Sequence, residues 1–152
     1  MFSFMDRVTP QARSRIMALV KPSHCRTTEK RLRALFVQQG IAGWRMHGRD
    51  LPGRPDFVFR KGQFAVFVDG CFWHGCKRCG KASKSNREFW RQKVLVNSRR
   101  DIRVSRQLRA LGWRVLRIRE CELKDQLRRS KLVVKIRIFL GARKSVKGGF
   151  HG

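Results

Sequence analysis

The chain has 152 residues, 41% of them hydrophobic, enough for one core of its own and too many for wholesale disorder. Thirty-seven Lys and Arg against ten Asp and Glu leave a formal net charge of +27, and such a surface repels itself unless a polyanion neutralises it. No run approaches the roughly 20 apolar residues of a membrane span, and Asp6 and Arg7 follow a short start without a long apolar segment, so neither a membrane protein nor a signal peptide is expected and the cytoplasm is the expected compartment.

In chain order, residues 9–20 predict a short amphipathic helix with Ile16, Met17 and Leu19 as its apolar set, stopped by Pro22. Thr27 or Thr28 can cap a second helix, from Glu29 to about Gln39, which Gly40 ends. Trp44 to His47 reads as a short strand, and Asp50 to Pro55, with two prolines around a glycine, reads as a loop. Asp56–Phe59 and Phe64–Asp69 are β-rich runs joined by a hairpin signal at Arg60-Lys61-Gly62-Gln63. Residues 70–86 read as an irregular loop of cysteines, glycines and polar residues. A long helix follows from about Arg87 to Leu111, then a strand over Trp113–Ile118. The stretch Leu123–Leu140 predicts a helix with Leu127, Leu132, Ile136 and Leu140 in a buried stripe, and a basic, glycine-rich tail begins at Gly141. The order α-β-β-β-α-β-α predicts an α/β fold, a mixed sheet with helices on its faces, in a single domain over 1–140 with residues 141–152 as a mobile tail.

The basic residues run through the whole chain rather than along one amphipathic helix, which favours nucleic acid over anionic lipid as the partner. Ribosomal or packaging proteins share such a charge, but a protein that only coats phosphate gains nothing from carboxylates aimed at it. Metal-dependent phosphodiester cleavage needs them, because hard Mg²⁺ prefers oxygen ligands. Asp56 and Asp69 sit on the two most strand-like segments. At the side-by-side ends of an antiparallel hairpin they could bracket one metal with the Val68 carbonyl, or be plain strand-edge residues. Asn97 and Asp101, four apart, share one helix face. Glu29 lies in a first helical turn, where the helix dipole alone would favour it.

Cys71, Cys76 and Cys79 follow a C-x₄-C-x₂-C spacing, and Cys121 stands just beyond the strand 113–118. If that strand neighbours the hairpin, four thiolates make a closed structural Zn²⁺ site; free cysteines in a core are the alternative. A bound metal would also order a loop that is poor in apolar residues. Cys25 is left over as an ordinary residue. His74, inside the cluster, is open to three readings: zinc ligand, solvated residue, or acid/base group. Phe72, Trp73, Phe89 and Trp90 are core candidates, or side chains able to wedge between base pairs.

Several segments together carry a resemblance. They are Leu51-Pro52-Gly53-Arg54-Pro55-Asp56, then Val66-Phe67-Val68-Asp69-Gly70-Cys71-Phe72-Trp73-His74-Gly75-Cys76, then Glu88-Phe89-Trp90 with Asn97 and Asp101, and then Leu111-Gly112-Trp113-Arg114-Val115 with Glu120-Cys121. In order and spacing these resemble the very-short-patch repair (Vsr) endonucleases over roughly residues 5–125. Met5-Asp6-Arg7 and Arg13 to Met17 resemble the N-terminal segment of that family.

The resemblance implies a fold like that of type II restriction endonucleases, of the PD-(D/E)xK type. It implies Mg²⁺-dependent nicking of one DNA strand 5′ to the thymine of a T:G mismatch left by deamination of 5-methylcytosine. Asp56 would bind the metal with the Val68 carbonyl, and His74 would activate or orient water, paired with Asp101. Glu29 would support the hydrated metal, and Asp69, which is histidine in some members, would belong to the same catalytic set. Phe72, Trp73 and Trp90 would wedge from the major groove, Met17 from the minor groove within a DNA-contacting segment 1–25, and Asn97 would contact DNA. Cys71, Cys76, Cys79 and Cys121 would hold structural zinc, with Cys76 standing where a member can have histidine.

The partners implied are mismatched duplex DNA, mismatch-repair proteins and the nucleoid, and a monomer suffices for a nick. The competing readings are a restriction-like or mobile-element nuclease of the same fold, and a zinc-stabilised DNA-binding protein that does not cut. Retention of Asp56, His74 and Asp101 argues against the last.

Overall fold

The structure, a computed structural model, describes Thr9, Ala12 and residues 26–79 and 86–141. Of the predicted helix over 9–20 it describes only one contact, the Ala12 N–H donating to the Thr9 hydroxyl at 3.2 Å. Met17, Cys25 and the tail from 142 lie outside the described residues.

Helix α1 spans Arg26–Gln38, starting before the predicted cap, so Thr27 and Thr28 lie inside it and Thr28 is buried. Its exit is where the glycine signal places it. Gly40 takes φ +63°, its N–H donates to the Val37 carbonyl, and the Ile41 N–H reaches back to Phe36 at 2.9 Å. This is a Schellman closure, in which a left-handed glycine lets two terminal carbonyls find donors.

The sheet has four strands in the order β1-β2-β3-β4: Trp44–Met46, Phe57–Phe59, Phe64–Asp69 and Arg114–Arg119. The first three are antiparallel, with a 3₁₀ turn at Arg60–Gly62 in the hairpin. Strand β4 returns parallel to β3 after the helix α2, Arg87–Ala110. The result is a mixed sheet with helices on both faces. Phe64, Val66 and Val68 point into the main core with Leu32, Phe36, Leu116, Ile118 and Ile136, whereas Ala65 and Phe67 meet Val104 and Leu108 of α2. Burial on both faces explains why β3 reads as an unbroken apolar run. The 50–55 loop packs on α2 so closely that a Cβ at Gly53, which has φ +71°, would lie 2.3 Å from Val104 Cγ1.

The predicted helix over 123–140 is two helices, α3 (Glu120–Lys124) and α4 (Gln126–Gly141). Asp125 is extended at φ −89°, ψ 130°, and its carboxylate accepts the Arg128 N–H at 2.8 Å, an N-cap that restarts the helix. Leu127 is therefore not in the buried stripe. It is 65% exposed while Leu132 and Ile136 are buried, because five residues carry a side chain about 140° around the helix. Among the described residues no helix is long and apolar enough to cross a membrane.

Candidate active site and metal centre

The topology brings the start of β2 and the ends of β3 and β4 to one edge of the sheet, and α2 crosses beside it. Every described candidate except Glu29 comes from these segments or from the loop that follows β3.

The parallel register sets Asp69 beside Arg119. Cys71 and Cys121 each lie two residues further on, and Cys76 and Cys79 curl back in the loop, so four Sγ atoms come within 4.8 Å of one another. Cys71 and Cys79 are 3.5 Å apart and Cys76 and Cys121 3.8 Å. A tetrahedral Zn²⁺ with bonds near 2.3 Å holds its sulfurs roughly 3.8 Å apart, so this donor set fits that ion. Burial pushes the Cys71 and Cys121 thiols up. Burial acts upward on Cys76 as well, but the backbone N–H groups of Cys79 and Arg78 outweigh it and leave that thiol at about 7. A divalent cation shared by the four would hold all of them as thiolates.

Within the same loop His74 is buried, and its Nδ1 lies 2.6 Å from Asp101 Oδ2. Burial works to raise the Asp101 carboxyl, but the His74 hydrogen bond and the charges of Arg117, His74 and Arg100 prevail and hold it below the usual carboxylate range. An ionised carboxylate only accepts, so Nδ1 carries the proton. Asp69 turns toward this pair, with Oδ1 3.7 Å from His74 Nε2, and both its oxygens accept from Arg117, at 2.9 and 3.0 Å. The geometry thus groups Asp69 with His74 and Asp101.

Asp56, also buried, accepts the Val68 N–H on Oδ2 at 2.7 Å. The paired register of β2 and β3 stops at Phe57 and Val66, and beyond it the Asp56 carboxylate meets the Val68 main chain directly. A carboxylate and a main-chain carbonyl are oxygen donors of the kind that suit Mg²⁺. Glu29, buried in the first turn of α1, lies 4.0 Å from His47 Nε2, and the His47 N–H donates to the Asp56 carbonyl at 2.9 Å. That bond links the end of β1 to the start of β2.

Phe72, Trp73 and Trp90 form one cluster, with centroids 4.9 to 5.6 Å apart and steeply inclined rings, and Phe89 lies against Trp90 at 5.3 Å. Asn97 is buried, and its Nδ2 donates to the Trp73 carbonyl at 3.0 Å, while Arg119 Nη1 donates to the His74 carbonyl at 3.3 Å. The loop is thus clamped from α2 and from β4.

A family model described as DNA mismatch endonuclease Vsr matches residues 5–81. The chain is 42% identical over 122 residues to the type II nicking enzyme V.XorIIP of Xanthomonas oryzae pv. oryzae, a span of 79% of this chain and 88% of the relative. The chain belongs to the Vsr family. Membership makes it an endonuclease. It is also 44% identical over 100 residues to the DNA mismatch endonuclease Vsr of Escherichia coli K12, 64% of this chain and 63% of that one. The type II nicking enzyme V.NmeDIP of Neisseria meningitidis serogroup C is 39% identical over 115 residues, 74% of this chain and 76% of its own.

Sequence reasoning misses two residues that contact this candidate site, Arg117 and Arg119. Both look like two more basic residues among many. The signal that could have found Arg117 is its place in β4, where Val115 on the same face packs against Phe67 and an apolar side chain is due.

Proposed function

We propose that this chain is a Mg²⁺-dependent endonuclease that nicks duplex DNA 5′ to the thymine of a T:G mismatch arising from 5-methylcytosine deamination, working in the cytoplasm on nucleoid DNA. The observation that carries the reading is the buried His74–Asp101 contact at 2.6 Å, set at the same sheet edge as Asp56. A protein that only coats phosphate has no use for such a pair. Asp56, with the Val68 carbonyl and Glu29, would hold Mg²⁺, which when bound neutralises charge on the phosphate under attack. His74 keeps its proton on Nδ1, so Nε2 is the atom that orients water or takes a proton from it. Asp101 fixes that tautomer and the ring's direction.

Phe72, Trp73 and Trp90 would enter a base step from the major groove, which costs a few kcal/mol of unstacking and less at a mispair. The N-terminal segment 1–25, with Met17, would enter from the minor groove, and residues 1–140 would act as one endonuclease domain. Asn97, by holding the Trp73 carbonyl, would set the aromatic cluster toward DNA. Zn²⁺ on Cys71, Cys76, Cys79 and Cys121 would fix the loop that bears both His74 and the wedge. The sheet and its flanking helices are compatible with the restriction-endonuclease-like fold that this chemistry uses.

Asp56→Asn tests the reading. It should lower nicking of a T:G duplex below detection while affinity for the duplex stays within about threefold, since only transition-state stabilisation is removed. Nicking near the wild-type rate would show that Asp56 does not hold the catalytic metal.

A further inference from the structure

The geometry points to Arg117 as a positioning residue of this endonuclease: it holds Asp101 against His74 and keeps Asp69 just beyond hydrogen-bond reach of the His74 ring. The assignment rests on the proposed role of His74.

Arg117 stands at a position where the fold asks for an apolar side chain. In β4, Leu116 and Ile118 face the main core, and Val115 and Arg117 face α2. Arg117 pairs in register with Phe67, and its guanidinium carbon lies 4.4 Å from the centre of that ring. A guanidinium three-quarters out of water is costly unless carboxylates meet it. Two do. Nε and Nη2 grip both oxygens of Asp69, at 2.9 and 3.0 Å, in the bidentate fork that only arginine forms. Nη2 also lies 2.8 Å from Asp101 Oδ1. The side chain thereby ties together the end of β3, the strand β4 and the helix α2.

The consequence for His74 follows from which oxygens are used. Asp101 offers Oδ1 to Arg117 and Oδ2 to His74 Nδ1. Held at one oxygen, the carboxylate cannot swing, and its other oxygen stays aimed at the ring. Asp69, with both oxygens on the fork, stays 3.7 Å from His74 Nε2, beyond hydrogen-bond distance. Asp69, His74 and Asp101 have the make-up of a metal site. The guanidinium already supplies the positive charge there, which assigns these residues to an ion-pair network and leaves the catalytic cation to Asp56.

The test uses Arg117→Gln, Asp101→Asn and the double variant in the full chain. Two readouts are taken: single-turnover nicking of a T:G duplex at saturating enzyme, and the ¹⁵N–¹H signals of the His74 ring in DNA-free protein. Arg117→Gln should slow nicking at least tenfold at saturation, leave affinity for matched duplex within about twofold, and shift or broaden the Nδ1–H signal. Because Arg117 acts through Asp101, adding Arg117→Gln to Asp101→Asn should cost less than threefold more. Arg117→Lys keeps the charge over Phe67 but loses the fork, so it should fall between wild type and Arg117→Gln; it carries the same comparison if the glutamine loosens the fold. The proposal is overturned if nicking and the ring signal are unchanged, or if the losses from Arg117 and Asp101 simply multiply. A protein that cuts no T:G duplex but whose His74 signal responds to Arg117→Gln would keep the positioning role and refute the proposed function instead.

Discussion

Cys71 and Cys121 stand the same two residues beyond Asp69 and Arg119, the paired ends of two parallel strands, and the Cys121 N–H donates to Cys71 Sγ at 3.3 Å. Register thus places two of four metal-type sulfurs together before any metal binds. The protein purified without chelator should contain about one Zn²⁺ per chain, as a four-sulfur site takes a single ion. Cys121→Ser should lower that content, the melting temperature and nicking together. Elemental analysis that finds no zinc in active wild-type protein would contradict the assignment.

Asp101→Asn should slow nicking roughly 100-fold or more, the scale on which a correctly held acid/base group contributes. The same carboxyl makes a pH prediction. Its folded pKa lies below the ordinary value, so its pairing adds stability that is fully present above the unfolded pKa of about 3.9 and is lost as pH falls through the lower folded value. Thermal melts below about pH 4 should therefore show an acid-sensitive loss that is smaller in Asp101→Asn. Equal acid sensitivity in both proteins would remove the ion pair from the account.

Gly75 sits between His74 and Cys76 with φ +56°, and a Cβ there would lie 2.6 Å from Val94 Cγ1. Gly75→Ala should cost about 1–3 kcal/mol through backbone strain and overpacking. It should also lift the loop from α2, so that nicking falls more than stability alone explains. Denaturant unfolding and single-turnover rates on one preparation check both effects. An alanine variant as stable as wild type would show that the loop does not need this approach.

The four cysteines are legible in the sequence because their spacing is local and the one distant member follows a strand. The β2–β3 hairpin is legible from its β-rich runs and turn. The restart at Asp125 is not, since a carboxylate inside a basic, leucine-bearing stretch looks like a solvated surface residue until its N-cap bond is seen. Asp69 reads as one half of a hairpin metal site with Asp56, and what the sequence does not show is that both its carboxylate oxygens are taken by Arg117. Arg117 itself is masked by composition: in a chain with 37 basic residues, its one signal is a place on the apolar face of β4. Its partners are visible only in three dimensions, where the cation lies over Phe67 between two carboxylates.

Trp73→Ala should lose more nicking on a T:G duplex than it loses in affinity for matched DNA, because the wedge works where the stack is weak. Matched-DNA affinity rests on Lys and Arg meeting phosphates and should fall steeply with salt, with the same slope in both proteins. Salt titrations on matched duplex beside single-turnover rates on T:G give the comparison. If affinity for matched DNA falls as far as the rate, Trp73 is a packing residue of the aromatic cluster.

The most direct measurement takes end-labelled duplexes identical except for T:G, T:A or C:G at one position, incubates each with the protein and Mg²⁺, and maps any cut to the nucleotide. The account predicts a single nick 5′ to the thymine, in the strand that carries it, on the T:G duplex, at a rate far above that on either matched duplex. Equal cutting of all three, cutting of both strands, or no cutting by zinc-loaded protein would contradict it.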